Sequence, residues 1–185
     1  MSAERLDPLI DRLFEGRATA VARDLKLNLK KLLDDGALAP SDATLTLVAL
    51  AAALRSPALH ELALARAEVL ALAADDVQEA REAAAIMGML NKYYRFRHFI
   101  EAGQGKEALQ TGFRSAGLRM NALSKPALGK QRFEMLALAV SVVNGCEVCV
   151  NAHERELRQH GVDGEQVHDL ARLAAVASGV ATLLA

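Results

Sequence analysis

The stretch that decides the fold is Pro40-Ser41-Asp42-Ala43-Thr44-Leu45-Thr46-Leu47-Val48-Ala49-Leu50-Ala51-Ala52-Ala53-Leu54. Proline followed by Ser and Asp is a helix start, with Ser41 or Asp42 as the N-cap. The run Ala43–Leu54 behind it holds no charge, glycine or proline. It is too short to cross a bilayer, which needs about 20 apolar residues, so it reads as a helix buried in protein. Ser56-Pro57 stops it, because proline disfavours helix in the residue before it. Outward from this segment the apolar residues keep helical spacing: Leu6, Leu9, Ile10, Leu13 and Phe14, then Val21, Leu25, Leu29, Leu32 and Leu33. Further helices are predicted over about Leu59–Ala73, Val77–Tyr94 (opened by Asp75-Asp76), Leu128–Val143, Cys146–His160 and Gly164–Leu184. Glycine-bearing Glu101–Gly117 predicts a connection with one helical turn, and Leu118–Ala127, with Asn121, Ser124 and Pro126, an irregular segment. Sustained two-residue alternation is missing, so the expected class is all-α, a helical bundle without a sheet.

Composition agrees. Apolar residues make up 52% of the 185 and aromatics 4%, with no Trp, the signature of an Ala/Leu-rich helical core. This length suits a single domain over residues 1–185. A net charge of −1, from 22 basic and 23 acidic residues, offers no electrostatic case for nucleic acid or an anionic membrane. The start Met1-Ser2-Ala3-Glu4-Arg5 lacks the basic and apolar regions of a secretory signal. Two cysteines cannot staple a secreted scaffold. The expectation is a soluble, cytoplasmic protein.

The chain carries a faint repeat. Thr44–Pro57 lies on Phe133–Cys146 at an offset of 89, and the following helices pair at about 90, Val77 near Val167. The first register sets Cys146 on Pro57 and Cys149 on His60. Shared Ala/Leu composition is the competing explanation. With duplication, residues 1–100 form a scaffold half and residues 118–185 the half that carries chemistry.

That chemistry sits in Asn144-Gly145-Cys146-Glu147-Val148-Cys149-Val150-Asn151-Ala152-His153. Asn144-Gly145 ends one helix and frees the chain to begin another. Cys146 is expected in the first turn, with Cys149 one turn on and His153 four residues later, beside the Cys149 sulfur. The helix start lowers the thiol pKa at Cys146, while an adjacent imidazole takes the proton of Cys149 directly. On balance Cys149 is the expected attacking thiol, and Cys146 is expected to be the more exposed contact for bulky disulfide partners. Three readings remain open: two small buried residues with a satisfied His, three ligands of a zinc ion with Glu134 as a fourth, or thiol–disulfide chemistry. C-x2-C-x3-H is compressed for zinc and no second ligand cluster exists, so no metal is expected. A thioredoxin would need a βαβ pattern, which is missing. Glu134 stands in an apolar run between Phe133 and Met135. It is either exposed with Lys130 and Gln131, or packed across the turn against His153, orienting the ring. His60, His98, His160 and His168 read as surface or packing residues. Arg95 and Arg97 with Tyr93 and Tyr94 read as a basic patch or a solvated helix end. Glu154, Arg155, Glu156 and Arg158 read as an exposed helical face.

Taken together, several segments resemble the alkyl hydroperoxidase D (AhpD) family, within the carboxymuconolactone-decarboxylase-like superfamily. They are Gly117-Leu118-Arg119-Met120-Asn121, Phe133-Glu134, Ala139-Val140-Ser141 through Cys146, Cys149, and Ala152-His153-Glu154. Asn91-Lys92-Tyr93-Tyr94-Arg95, Gly161-Val162-Asp163 and Val176–Ala181 extend the likeness over most of the chain. The resemblance implies an all-helical homotrimer that reduces organic hydroperoxides and a partner peroxiredoxin. Its electrons would come from dihydrolipoamide on a lipoyl-bearing acyltransferase, recharged by lipoamide dehydrogenase, with no tightly bound cofactor. It implies Cys149 as the peroxide-reacting thiol passing through a sulfenic acid, Cys146 as proton donor and resolving thiol in a redox disulfide with it, and His153 and Glu134 as the proton relay. Val148 departs from members with His before the second cysteine. The alternatives are a decarboxylase or isomerase of the wider superfamily and a non-catalytic redox-responsive scaffold.

Overall fold

The computed structural model describes residues 7–185. Leu6, counted above in the first apolar stripe, and the Met1–Arg5 start lie outside the described residues. The described chain is all-α, with no strand. Its helices are α1 (Asp7–Leu13), α2 (Ala20–Asp34), α3 (Pro40–Leu54), α4 (Pro57–Val69), α5 (Ala74–Gln104), α6 (Lys106–Gly112), α7 (Lys130–Val143), α8 (Glu147–Gln159) and α9 (Gly164–Leu183).

Two helices are buried on every side. All residues from Ala43 to Ala51 of α3 and from Phe133 to Ser141 of α7 are buried. A helix that is apolar all round belongs at the centre of a bundle. Here α3 and α7 pack on each other, and both pack on α5 and α9. The hydroxyl of buried Thr46 donates back to Asp42 O at 2.8 Å, so it needs no other partner.

The repeat is visible in the elements. Helices α4 and α8 (57–69 and 147–159) lie ninety residues apart, as do the starts of α3 and α7 and of α5 and α9. So do the left-handed residues at the turns, Arg55 with Gly145 and Ala71 with Gly161. The 89 offset is therefore one residue short. Cys146 corresponds to Ser56, the N-cap of α4, and Cys149 to Leu59 rather than His60.

Helix boundaries differ from expectation at several points. Ala39, not Ser41 or Asp42, is the N-cap of α3, because Pro40 takes the first helical position. Pro57 begins α4 at a position where a missing N–H costs nothing, with the Ser56 hydroxyl accepting from Leu59 N. That helix stops at Val69, short of Ala73. Helix α5 runs to Gln104 instead of Tyr94 and spans about 46 Å at 1.5 Å per residue. Beyond Asn91 it buries no residue fully, and α6 folds back against it through an edge-on Phe96–Phe113 pair. The glycines of the 101–117 stretch do not break the helix before Gly105, which adopts φ 87°.

The first half also holds a buried ion pair. Arg66 of α4, fully buried, donates to Asp34 at 2.7 Å, to Leu33 O at 3.2 Å and to Thr44 at 3.4 Å. Asp34→Ala leaves that guanidinium buried without its counter-charge. It should lower the unfolding free energy by about 3–5 kcal/mol, measured by urea titration; a loss under about 1 kcal/mol would show that water reaches Arg66.

Candidate active site

The site is built on the elbow between α7 and α8. Helix α7 ends at Val143, Asn144 caps it, and Gly145 turns the chain at φ 63°. Cys146 then stands at the N-cap of α8 in extended conformation, one position before the expected first turn. Its N–H donates to Ser141 O at 3.1 Å. Cys149 follows in the first turn, and the two cysteines are joined as a disulfide, Cα atoms 5.3 Å apart.

Burial reverses the expected accessibility of the pair. Cys146 is 0% exposed and Cys149 6%. Only Cys149 borders a cavity of about 220 Å³, together with Val148, Ala152 and His153 of α8. Helix α5 supplies Met87, Leu90 and Tyr94 to the same cavity, and the segment between α6 and α7 supplies Met120 and Leu123. Cys146 is thus enclosed, and the more exposed contact is Cys149.

Glu134 is not an exposed acid of the α7 surface: it is 3% exposed. Its Oε2 lies 2.5 Å from His153 Nδ1 and its Oε1 2.8 Å from Lys130 Nζ. A carboxylate facing Nδ1 accepts the ring's proton there, which leaves Nε2 to exchange protons with other groups. Burial alone would push the Glu134 carboxyl up. Hydrogen bonds and charge from His153 and Lys130 outweigh it and hold the carboxyl below its ordinary value.

The structure therefore gathers Cys146, Cys149, His153 and Glu134 at one elbow. Among the described residues, no group of three or more His, Cys, Asp or Glu is placed to hold a metal ion.

Helix α5 holds the elbow through residues that sequence reasoning missed. Asn91 donates to Ser141 Oγ and accepts from Asn144 Nδ2, both at 2.9 Å. Arg95 donates to Asn144 O at 2.6 Å. Arg95 is thus a clamp on the elbow rather than part of a free basic patch. The Asn91-x3-Arg95 spacing, which sets both on one helix face, was the available signal. Glu79 accepts from the N–H of Ala127 and Leu128, tying down the end of the segment that carries Met120 and Leu123. His98 lies 3.8 Å from Glu147 at the start of α8, while no contact to the cavity involves His60, His160 or His168.

A wider groove of about 720 Å³ between α2 and α9 offers less chemistry. Its buried acid, Asp169, is engaged by Ala37 N at 2.7 Å and Arg172 at 2.8 Å.

Comparison with known proteins fits this arrangement. Residues 113–185 match the carboxymuconolactone decarboxylase family. The chain is 48% identical over 165 residues to the alkyl hydroperoxide reductase AhpD of Anaeromyxobacter dehalogenans (strain 2CP-C), covering 88% of this chain and 84% of that one. The chain belongs to the AhpD family. AhpD of Gluconacetobacter diazotrophicus is 40% identical over 163 residues (88% and 86% covered), and AhpD of Mycobacterium bovis (strain BCG / Pasteur 1173P2) is 41% identical over 165 residues (89% and 88%). Within this AhpD-family chain, no helix of the described residues is long and apolar enough to cross a membrane.

The lowered Glu134 carboxyl has a signed consequence for stability. A depressed folded-state pKa contributes stability that is present above the unfolded carboxyl's pKa, ordinarily 4.5, and lost as pH falls through the lower folded value. The stability gap between wild type and Glu134→Gln should be constant above that range and shrink below it, read by denaturant titration across pH. A gap that does not change with acid would mean that Glu134 is not held as the carboxylate.

Proposed function

We propose that this chain is a dithiol peroxidase and disulfide reductase that reduces organic hydroperoxides. One observation carries the reading: Cys149 and His153 share an apolar cavity, and buried Glu134 backs the imidazole from the other side. The names of the relatives, alkyl hydroperoxide reductase, agree with it.

In the reduced enzyme the Cys149 thiol gives its proton to His153. The thiolate attacks one peroxide oxygen, the O–O bond breaks, and the alkoxide leaves with the proton from the imidazolium. Cys149 is then a sulfenic acid. The Cys146 sulfur attacks it, the S–O bond breaks, and hydroxide leaves as water with the Cys146 proton, giving the disulfide. A cavity lined by Met87, Leu90, Met120 and Leu123 suits the alkyl portion of such a substrate. Val148, 40% exposed at this cavity, contributes apolar surface where a histidine would add a proton carrier. The decarboxylase reading is less well served, because no Lys or Arg lines the cavity to receive an acidic lactone.

Reduction returns two electrons. We assign dihydrolipoamide, carried on a lipoyl-bearing acyltransferase and regenerated by lipoamide dehydrogenase, as the donor, and an oxidised peroxiredoxin as the protein acceptor. A donor thiolate meets Cys149 first, because only that sulfur borders the cavity; Cys146 leaves as thiolate beside the free N–H groups of α8. The donor's second thiol closes its own disulfide and releases Cys149. Such a cycle belongs in a compartment kept reducing, the cytoplasm.

Assembly belongs to the same proposal. The part of α5 beyond Asn91 has no fully buried residue, and Phe99 on it is 63% exposed. We assign this arm to the contacts of a homotrimer. Phe99→Asp should shift the protein toward monomer in light scattering at micromolar concentration; a monomeric wild type would end this assignment.

Turnover tests the chemistry. With dihydrolipoamide, lipoamide dehydrogenase and NADH, wild type should consume an organic hydroperoxide. Cys146→Ser and Cys149→Ser should each abolish the dithiol cycle, and His153→Gln should cut it roughly 10²-fold. Peroxide-treated wild type should lose two hydrogens from the peptide that holds both cysteines. Unimpaired turnover by Cys146→Ser would refute the resolving role.

A further inference from the structure

Lys130 stands where local helix rules disfavour it. It is the first residue of α7, at the positive end of the helix dipole, and the first turn of α7 contains no acid. Its partner, Glu134, follows it at i+4, the weaker order for such a pair. Ninety residues earlier the corresponding positions are Pro40 and Thr44, with neither charge. A residue that breaks local preference without a structural return marks a functional demand.

The demand is on the next turn. Glu134 is buried and has two oxygens to satisfy; one meets His153 and the other meets Lys130. The Lys130 side chain is 44% exposed, so its ammonium stands half in water while it holds a carboxylate that water barely reaches. We propose that Lys130 is a positioning residue of the site, pinning one oxygen of Glu134 so that the other is held on Nδ1 of His153. This rests on the assignment of His153 and Glu134 to the relay made above.

The surrounding charges leave that work to Lys130. On the same turn, Arg132 is taken by Asp42 of α3 at 2.8 Å. Helix α9 places uncharged Gln166 on the groove beside Lys130. Of titratable groups, helix α5 presents only the Tyr94 phenol to the cavity that His153 lines. On α8 the other charged side chains near the ring, Glu154 and Arg158, face each other at 3.8 Å in solvent. The charges that act on Glu134 are those of His153 and Lys130.

The test uses the oxidised protein, in which the disulfide removes both thiols from the titration. Carbon-13 NMR follows the carboxyl of Glu134, assigned by Glu134→Gln. In Lys130→Met the Glu134 carboxyl should titrate at higher pH than in wild type, while Lys130→Arg should restore it. Arg132→Met removes a cation from the same turn and should leave it unmoved. In the hydroperoxide assay the acid limb of Lys130→Met should move toward neutral pH, with turnover at the acid end down roughly tenfold, the worth of one charged hydrogen bond. Unchanged Glu134 titration in Lys130→Met, or an equal shift in Arg132→Met, overturns the proposal. If wild type consumes no hydroperoxide, the functional reading falls, and the carboxyl titration still decides whether Lys130 holds Glu134.

Discussion

The bond between Glu134 and His153 ties α7 to α8 across their elbow, and the geometry of the site depends on it. A carboxylate buried in an apolar helix is costly unless it is paired and hydrogen-bonded. Both conditions are met here by groups on either side, His153 and Lys130. The pair lies on the side of α8 that packs toward α7, and Cys149, four residues before His153, lines the same cavity as the ring. Asn91 and Arg95 do the complementary work from α5, engaging the elbow at Ser141 and Asn144. The elbow is thus held from both sides, which is what a dithiol needs if its sulfurs are to meet repeatedly in the same geometry.

The two halves of the chain use one architecture for different ends. Helices α3–α4–α5 and α7–α8–α9 begin ninety residues apart, and each half sets a buried acid or base against a partner on another helix. In the first half Arg66 is fully enclosed by Asp34, Leu33 and Thr44. A permanently charged guanidinium in that setting fastens α4 to α2. In the second half the pair is a carboxylate and an imidazole, and the imidazole borders a cavity. Thr44 stands ninety residues before Glu134, at the matching position of α3, so the acid that pairs with His153 has an uncharged counterpart in the first half.

Much of this was legible in the sequence because it is local. The apolar runs that form α3 and α7, the Asn144-Gly145 stop, and the one-turn spacing of Cys146, Cys149 and His153 all follow from periodicity and turn chemistry. The length of α5 did not follow, because past Asn91 it is held by α6 and by aromatic packing rather than by an apolar stripe. The Asn91-x3-Arg95 spacing sets both residues on one helix face, but their partners lie about fifty positions away, beyond the reach of spacing rules. Spacing predicts Cys146 in the first turn, whereas it is the N-cap, and its side chain is buried although Gly145 before it and Glu147 after it are exposed, a tertiary placement that periodicity does not encode. Glu134 had two readings from sequence, and the one that buries it needed a partner nineteen residues away.

The imidazole of His153 separates two environments. Buried Glu134 of α7 holds it at Nδ1 with Lys130 behind, and neither of the two lines the cavity. Cys149 and the apolar side chains of α5 approach it from the other side, beneath a segment whose end Glu79 secures at Ala127 and Leu128. The carboxylate that holds the ring therefore stands outside the apolar cavity that the ring borders. That division has a physical basis. A charged pair inside the cavity would lose its hydration whenever an apolar group entered, whereas one behind the ring keeps its partners. The imidazole is the one group that must face both sides, and its two nitrogens let it do so.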